Sequence, residues 1–191
     1  MVGGDYRGDS AAANCRSQKA NSYFLWEVDL FNKWHPSTPY YHNGYLFVTD
    51  GGKWGSFLLE ISEDGLKCKE VWRNEKFSVV QGHIVVLGKR IYGVSKKEMT
   101  CVDWKSGEKI FSNSVKSSTI TLISSDNLIY SYSDKGEVKL LEPNENGLVE
   151  LSSFKVKGGS NNHCAHPVIK DGRLYIRHDN SLFVYDIAAK K

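Results

Sequence analysis

At 191 residues, with 40% of them hydrophobic and 25% charged, the chain is long enough for one substantial domain and has the composition of an ordinary globular protein. A net charge of +3, with Lys and Arg scattered among Asp and Glu, leaves no basic block that would mark a nucleic-acid footprint. The longest apolar runs, such as Ile84-Val85-Val86-Leu87, are far too short to cross a bilayer, and four cysteines without C-x-x-C spacing exclude a disulfide scaffold.

Residues 1–22 mix Gly, Ser, Ala and Asn without periodicity and are expected to form an irregular N-terminal arm. The first residues carry neither a basic nor an apolar region, so no signal peptide is expected here. Arg7-Gly8-Asp9 matches an integrin-type tripeptide, a match too short to separate from chance. From Tyr23 the pattern tightens into a strand, Tyr23-Phe24-Leu25-Trp26-Glu27-Val28, which Pro36 ends by lacking an N–H.

Downstream of that strand one unit recurs: a short apolar strand, a polar turn, then an aliphatic–aromatic pair. The pairs are Leu46-Phe47, Ile91-Tyr92, Ile129-Tyr130 and Leu174-Tyr175. A third strand follows each: Phe57–Ile61, Thr100–Asp103, Val138–Glu142 and Leu182–Asp186. In the first three units a turn then leads to a fourth strand bearing a large aromatic, Trp72, Phe111 or Phe154. The glycine-rich Gly51-Gly52-Lys53-Trp54-Gly55 has no helix after it to bind a phosphate, and fits a turn between second and third strands. A period of about forty residues with four strands per unit predicts an all-β chain, a β-propeller of four-stranded antiparallel blades. About four blades are expected, as a half-ring, a small closed ring or a fragment of a seven- or eight-bladed propeller. The blades fall near 37–75, 76–114, 115–157 and 158–191, and residues 23–36 are expected to close the last one and cover its edge.

Cys101-Val102-Asp103-Trp104-Lys105-Ser106-Gly107-Glu108-Lys109-Ile110-Phe111 resembles the blade signature of PQQ-like β-propellers, with Asp103, Gly107 and Phe111 in register. The run from Pro167 to Arg177, closing at Tyr185-Asp186-Ile187, is similar to a last blade of that family. The resemblance implies a quinoprotein alcohol dehydrogenase-like propeller, a family often secreted or periplasmic. It includes enzymes that use pyrroloquinoline quinone and Ca²⁺, and non-enzymatic members such as an outer-membrane assembly lipoprotein that binds other proteins. The enzymes' adjacent cysteines and clustered acidic metal ligands have no counterpart among Cys15, Cys68, Cys101 and Cys164 or the carboxylates here. The expected function is therefore a non-catalytic scaffold for a protein or carbohydrate partner, with no cofactor; quinone and Ca²⁺ enter only through the resemblance. The alternative is a quinone- or metal-dependent oxidoreductase. A homodimer that completes a larger ring would bury exposed blade edges.

Candidate ligand-face residues are Trp34 and His35 in the N-terminal segment, and His163, His166, Arg177 and His178 in the last repeat. Imidazole and thiolate suit Zn²⁺, but His163-x-x-His166 lacks a second matching pair, and two residues three apart on one strand point to opposite faces. Strand ends and loops on a propeller face are where binding residues are expected. No G-x-S-x-G or other nucleophile constellation occurs.

Overall fold

Two-residue turns set the strand pairings. Asn43-Gly44, Lys96-Lys97, Asp126-Asn127 and Asp171-Gly172 all have positive φ at both positions. Such a turn twists in the same sense as the strands it joins, which is why Asn, Asp and Gly dominate it. The lysine pair is the exception and carries backbone strain that glycine would avoid. The computed structural model describes residues 25–28, 37–80, 83–117 and 119–188.

Among the described residues fifteen strands form four antiparallel sheets, each built from strands consecutive in sequence. The first blade holds β1 (Tyr40–His42), β2 (Tyr45–Thr49), β3 (Ser56–Ile61) and β4 (Cys68–Asn74). The second holds β5 (Val85–Leu87), β6 (Arg90–Ser95), β7 (Glu98–Asp103) and β8 (Lys109–Ser114). The third holds β9 (Ile120–Ser125), β10 (Leu128–Ser133), β11 (Glu137–Pro143) and β12 (Leu148–Lys155). The fourth has three strands, β13 (Val168–Lys170), β14 (Arg173–His178) and β15 (Ser181–Asp186). First strands β5 and β9 touch, which brings the inner edges of the second and third blades together. The glycine-rich 51–55 segment lies between β2 and β3, where the Asp50 carboxylate accepts the amides of Gly52 and Trp54.

Residues 23–36, expected to complete the last blade, lie mostly outside the described residues. Their described part, Leu25–Val28, joins no sheet, and Trp26 donates its indole N–H to the Gly65 carbonyl of the first blade at 3.0 Å.

Three apolar clusters each bridge one pair of successive blades. Phe47, Leu58 and Trp72 meet Phe77, Ile91, Val102 and Trp104; Tyr92, Met99 and Cys101 meet Leu122, Ile129 and Leu141. Tyr132 and Val138 meet Leu174 and Ile176. The aliphatic–aromatic pair now has a physical meaning. Ile91 packs back on the first blade and Tyr92 forward on the third; Ile129 packs back on the second and Tyr130 forward on the fourth. Adjacent residues point to opposite faces of a strand, so one pair serves two junctions.

Candidate functional site

The last residue of every second strand is polar and buried: Thr49, Ser95, Ser133 and His178. Thr49 and Ser95 use their hydroxyls to accept backbone amides, of Val79 and Ser78 respectively. In the fourth blade an imidazole takes this place. His178 lies flat against His163, ring centroids 3.5 Å apart and planes 14° apart, and both are buried. His163 belongs to no strand. It sits in the segment between β12 and β13, anchored by its amide to the Asp134 carbonyl, so strand alternation does not govern where it points.

Two glycines make room for the pair. A Cβ on Gly136 would lie 2.7 Å from His163 Nε2, and one on Gly159 would lie 2.2 Å from His178 Nε2. The Tyr132 hydroxyl and His163 Nδ1 are hydrogen-bonded at 2.5 Å. Burial, with Tyr185 and Cys164 nearby, pushes the Tyr132 phenol up to about 12, so it keeps its proton and donates. Nδ1 then accepts, which assigns the proton of neutral His163 to Nε2. Burial first, and the neighbouring His178 second, hold His163 below the usual imidazole range. His178 Nε2 has no hydrogen-bond partner and lies 3.7 Å from an Asp179 carboxylate oxygen. That carboxylate is itself engaged by the Asn161 side chain and the Ser160 amide, which hold it below its ordinary range.

The other candidates scatter. His166 meets His83, with ring centroids 3.9 Å apart, where the chain enters the first strands of the fourth and second blades. Arg177 is exposed on β14, opposite Leu182. Trp34 and His35 lie outside the described residues. Among the described residues no three His, Cys, Asp or Glu side chains group as metal ligands. Cys101 is fully buried, and burial pushes its thiol up to about 11, so it packs as a small apolar side chain. A cleft of about 290 Å³ separates the second and third blades, with Met99, Ile120 and Leu141 lining it beside Lys139, which is paired with Glu150 at 2.7 Å. Its lining residues include no histidine or cysteine, hence no nucleophile with a neighbouring imidazole base.

Residue-type reasoning overlooked Tyr132, His83 and Asp179. The repeat itself held one signal: His83 precedes Val85 by the same step that separates His166 from Val168, and both valines pair with the blade's aromatic residue.

No family model and no curated protein matches the chain. Solved structures do. The crystal structure of BamB from Moraxella catarrhalis superposes with a TM-score of 0.58 at 16% identity, over 78% of this chain and 41% of BamB. The fold is a β-propeller. Glutaminyl cyclase from Myxococcus xanthus superposes with a TM-score of 0.52 at 15% identity, over 81% of this chain and 66% of the cyclase. The chain thus spans less than half the length of BamB.

Proposed function

We propose that this chain is a non-catalytic propeller scaffold that binds a polypeptide partner through the fourth blade, without quinone or Ca²⁺. The observation that carries the reading is the uncovered forward face of that blade. Val168, Tyr175 and Val184 form one row across β13, β14 and β15, and Val168 is 54% and Val184 50% exposed. Leu182 on β15 is 64% exposed. An apolar sheet face beside an unpaired strand edge offers both backbone hydrogen bonds and side-chain pockets to an extended peptide. The histidines support the same reading, because their packing secures the junction behind this face. The resemblance to PQQ-like blades and the likeness to BamB are compatible with it.

The test is a displayed-peptide selection against the wild-type chain and against Val184→Lys. The wild type is expected to enrich extended peptides rich in β-branched and aromatic residues, which Val184→Lys does not retain. Identical enrichment by both proteins would remove the fourth blade from the reading. A shifted quinone absorption spectrum on titration with pyrroloquinoline quinone and Ca²⁺ would replace the scaffold with an oxidoreductase.

A further inference from the structure

We propose that the occupant of the fourth blade is the Trp26 segment of a second copy of this chain, exchanged reciprocally so that two copies close one ring. The proposal rests on the scaffold reading and names its partner.

The argument comes from a repeated junction. In the first blade Tyr40, Phe47, Leu58 and Trp72 form one cross-strand row; in the second the row is Val85, Tyr92, Cys101 and Phe111. Each row faces forward and ends on an outer-strand aromatic. That outer strand meets the outer turn of the following blade at a glycine. Trp72 donates to the Trp104 carbonyl at 2.9 Å and fills the space beside Gly107, while Asn74 donates to the Gly107 carbonyl at 2.7 Å. One blade on, the Asn113 side chain lies against Gly147, 3.5 Å from where a Cβ would be.

Trp26 reaches the outer turn of the first blade by a different bond, and no atom lies within 4 Å of a Cβ on the glycine it meets. The indole donates to Gly65, the glycine of the turn between β3 and β4, which corresponds to Gly107 between β7 and β8. Trp26 therefore lies at the outer turn that a preceding blade's outer strand would meet, yet Leu25–Val28 joins no sheet among the described residues. The fourth blade has the complementary deficit. Its row Val168, Tyr175 and Val184 lacks a fourth member, which is aromatic in the first two blades and Ser152 in the third, and its edge strand β15 carries no Lys or Pro to protect it.

The two deficits do not cancel among the described residues of one copy, where Val168 and Val184 stay exposed and no strand pairs with the outer side of β15. They cancel between two. Pairing Leu25–Val28 of one copy along β15 of the other sets Trp26 opposite Val184, the register that Trp72 holds opposite Leu58. It also brings the exposed Tyr41 face of the first blade against the fourth blade of the other copy. Performed twice about a two-fold axis, the exchange gives every blade four strands and closes the ring.

The test measures solution mass by light scattering for the full chain, for Trp26→Ala and for Leu182→Lys, with circular dichroism to verify folding. The wild type is expected at twice 21.5 kDa and each variant at that mass once. Mixing the two variants is expected to restore a dimer, because the mixed pair regains one junction with an intact Trp26 and an intact edge. This complementation separates exchange from simple loss of folding. A dimer that persists in both variants, or variants that stay monomeric on mixing, would overturn the proposal. So would a monomeric wild type. If that monomer still takes up a synthetic peptide of residues 23–31, the second copy is excluded as occupant while the scaffold reading stands.

Discussion

Between the first and second blades, Trp72 lies against Gly107 and donates to a backbone carbonyl. Between the third and fourth, two stacked imidazoles and a tyrosine hydroxyl lie at the ends of the second strands instead. Both junctions rely on a glycine that leaves room for a ring, Gly107 for Trp72 and Gly136 for His163. They differ in what proton concentration can do to them. The indole never changes charge in the physiological range, whereas an imidazole does. One architecture therefore holds a permanent joint and a titratable one, and the titratable one lies behind the proposed binding face.

The sharpest way to break this comparison is Gly107→Ala. Its φ of +69° already disfavours a side chain, and a Cβ would sit 2.4 Å from the Trp72 ring. Backbone strain and overpacking together are expected to cost about 3 kcal/mol in urea unfolding. Tyr132→Phe is expected to cost about 2 kcal/mol, because it leaves the buried His163 Nδ1 without its donor. Gly44→Ala supplies the baseline. Its φ is +81° but nothing lies within 4 Å of the added Cβ, so only the backbone term of about 1 kcal/mol is expected. If Gly107→Ala costs no more than Gly44→Ala, the close packing of Trp72 contributes nothing.

A pH series sharpens the same contrast. His163 is held below its unfolded value of 6.5 by burial and by His178, against partial compensation from Asp179 and Asp134, with Lys155 adding to the depression. Such a group binds more protons unfolded than folded as pH drops below 6.5. Its contribution is complete above 6.5 and is lost progressively as pH falls toward the folded value. Thermal midpoints are expected to drop from pH 7.5 to pH 5 in the wild type, and less steeply in His163→Phe. Parallel curves for the two proteins would mean that His163 is not the titrating element.

Much of the architecture is legible in the residues because local chemistry dictates it. Asn43-Gly44 and Asp171-Gly172 fix hairpin turns wherever they occur, and the aliphatic–aromatic pairs recur because each must fill two junctions. In the fourth blade, covered on one face, β14 shows buried Leu174 and Ile176 alternating with less buried neighbours; in β6 both faces are covered and alternation disappears. The site was less legible. His163 and His178 belong to different strands' surroundings, and their stacking depends on the path of residues 156–167, which has no regular period. Trp26 was recognisable as an outer-strand aromatic, but its contact with Gly65 rather than with β15 depends on packing that no local pattern encodes.

The three separate apolar clusters have a consequence for how the chain is made. Each joins a blade to the one before it, and none spans the molecule. During synthesis, a blade leaving the ribosome finds the forward face of its predecessor already assembled, and can dock without waiting for distant sequence. Growth of the structure then keeps pace with growth of the polypeptide, and at each stage the sticky surface is a single face at the newest end. A chaperone would need to shield only that moving front.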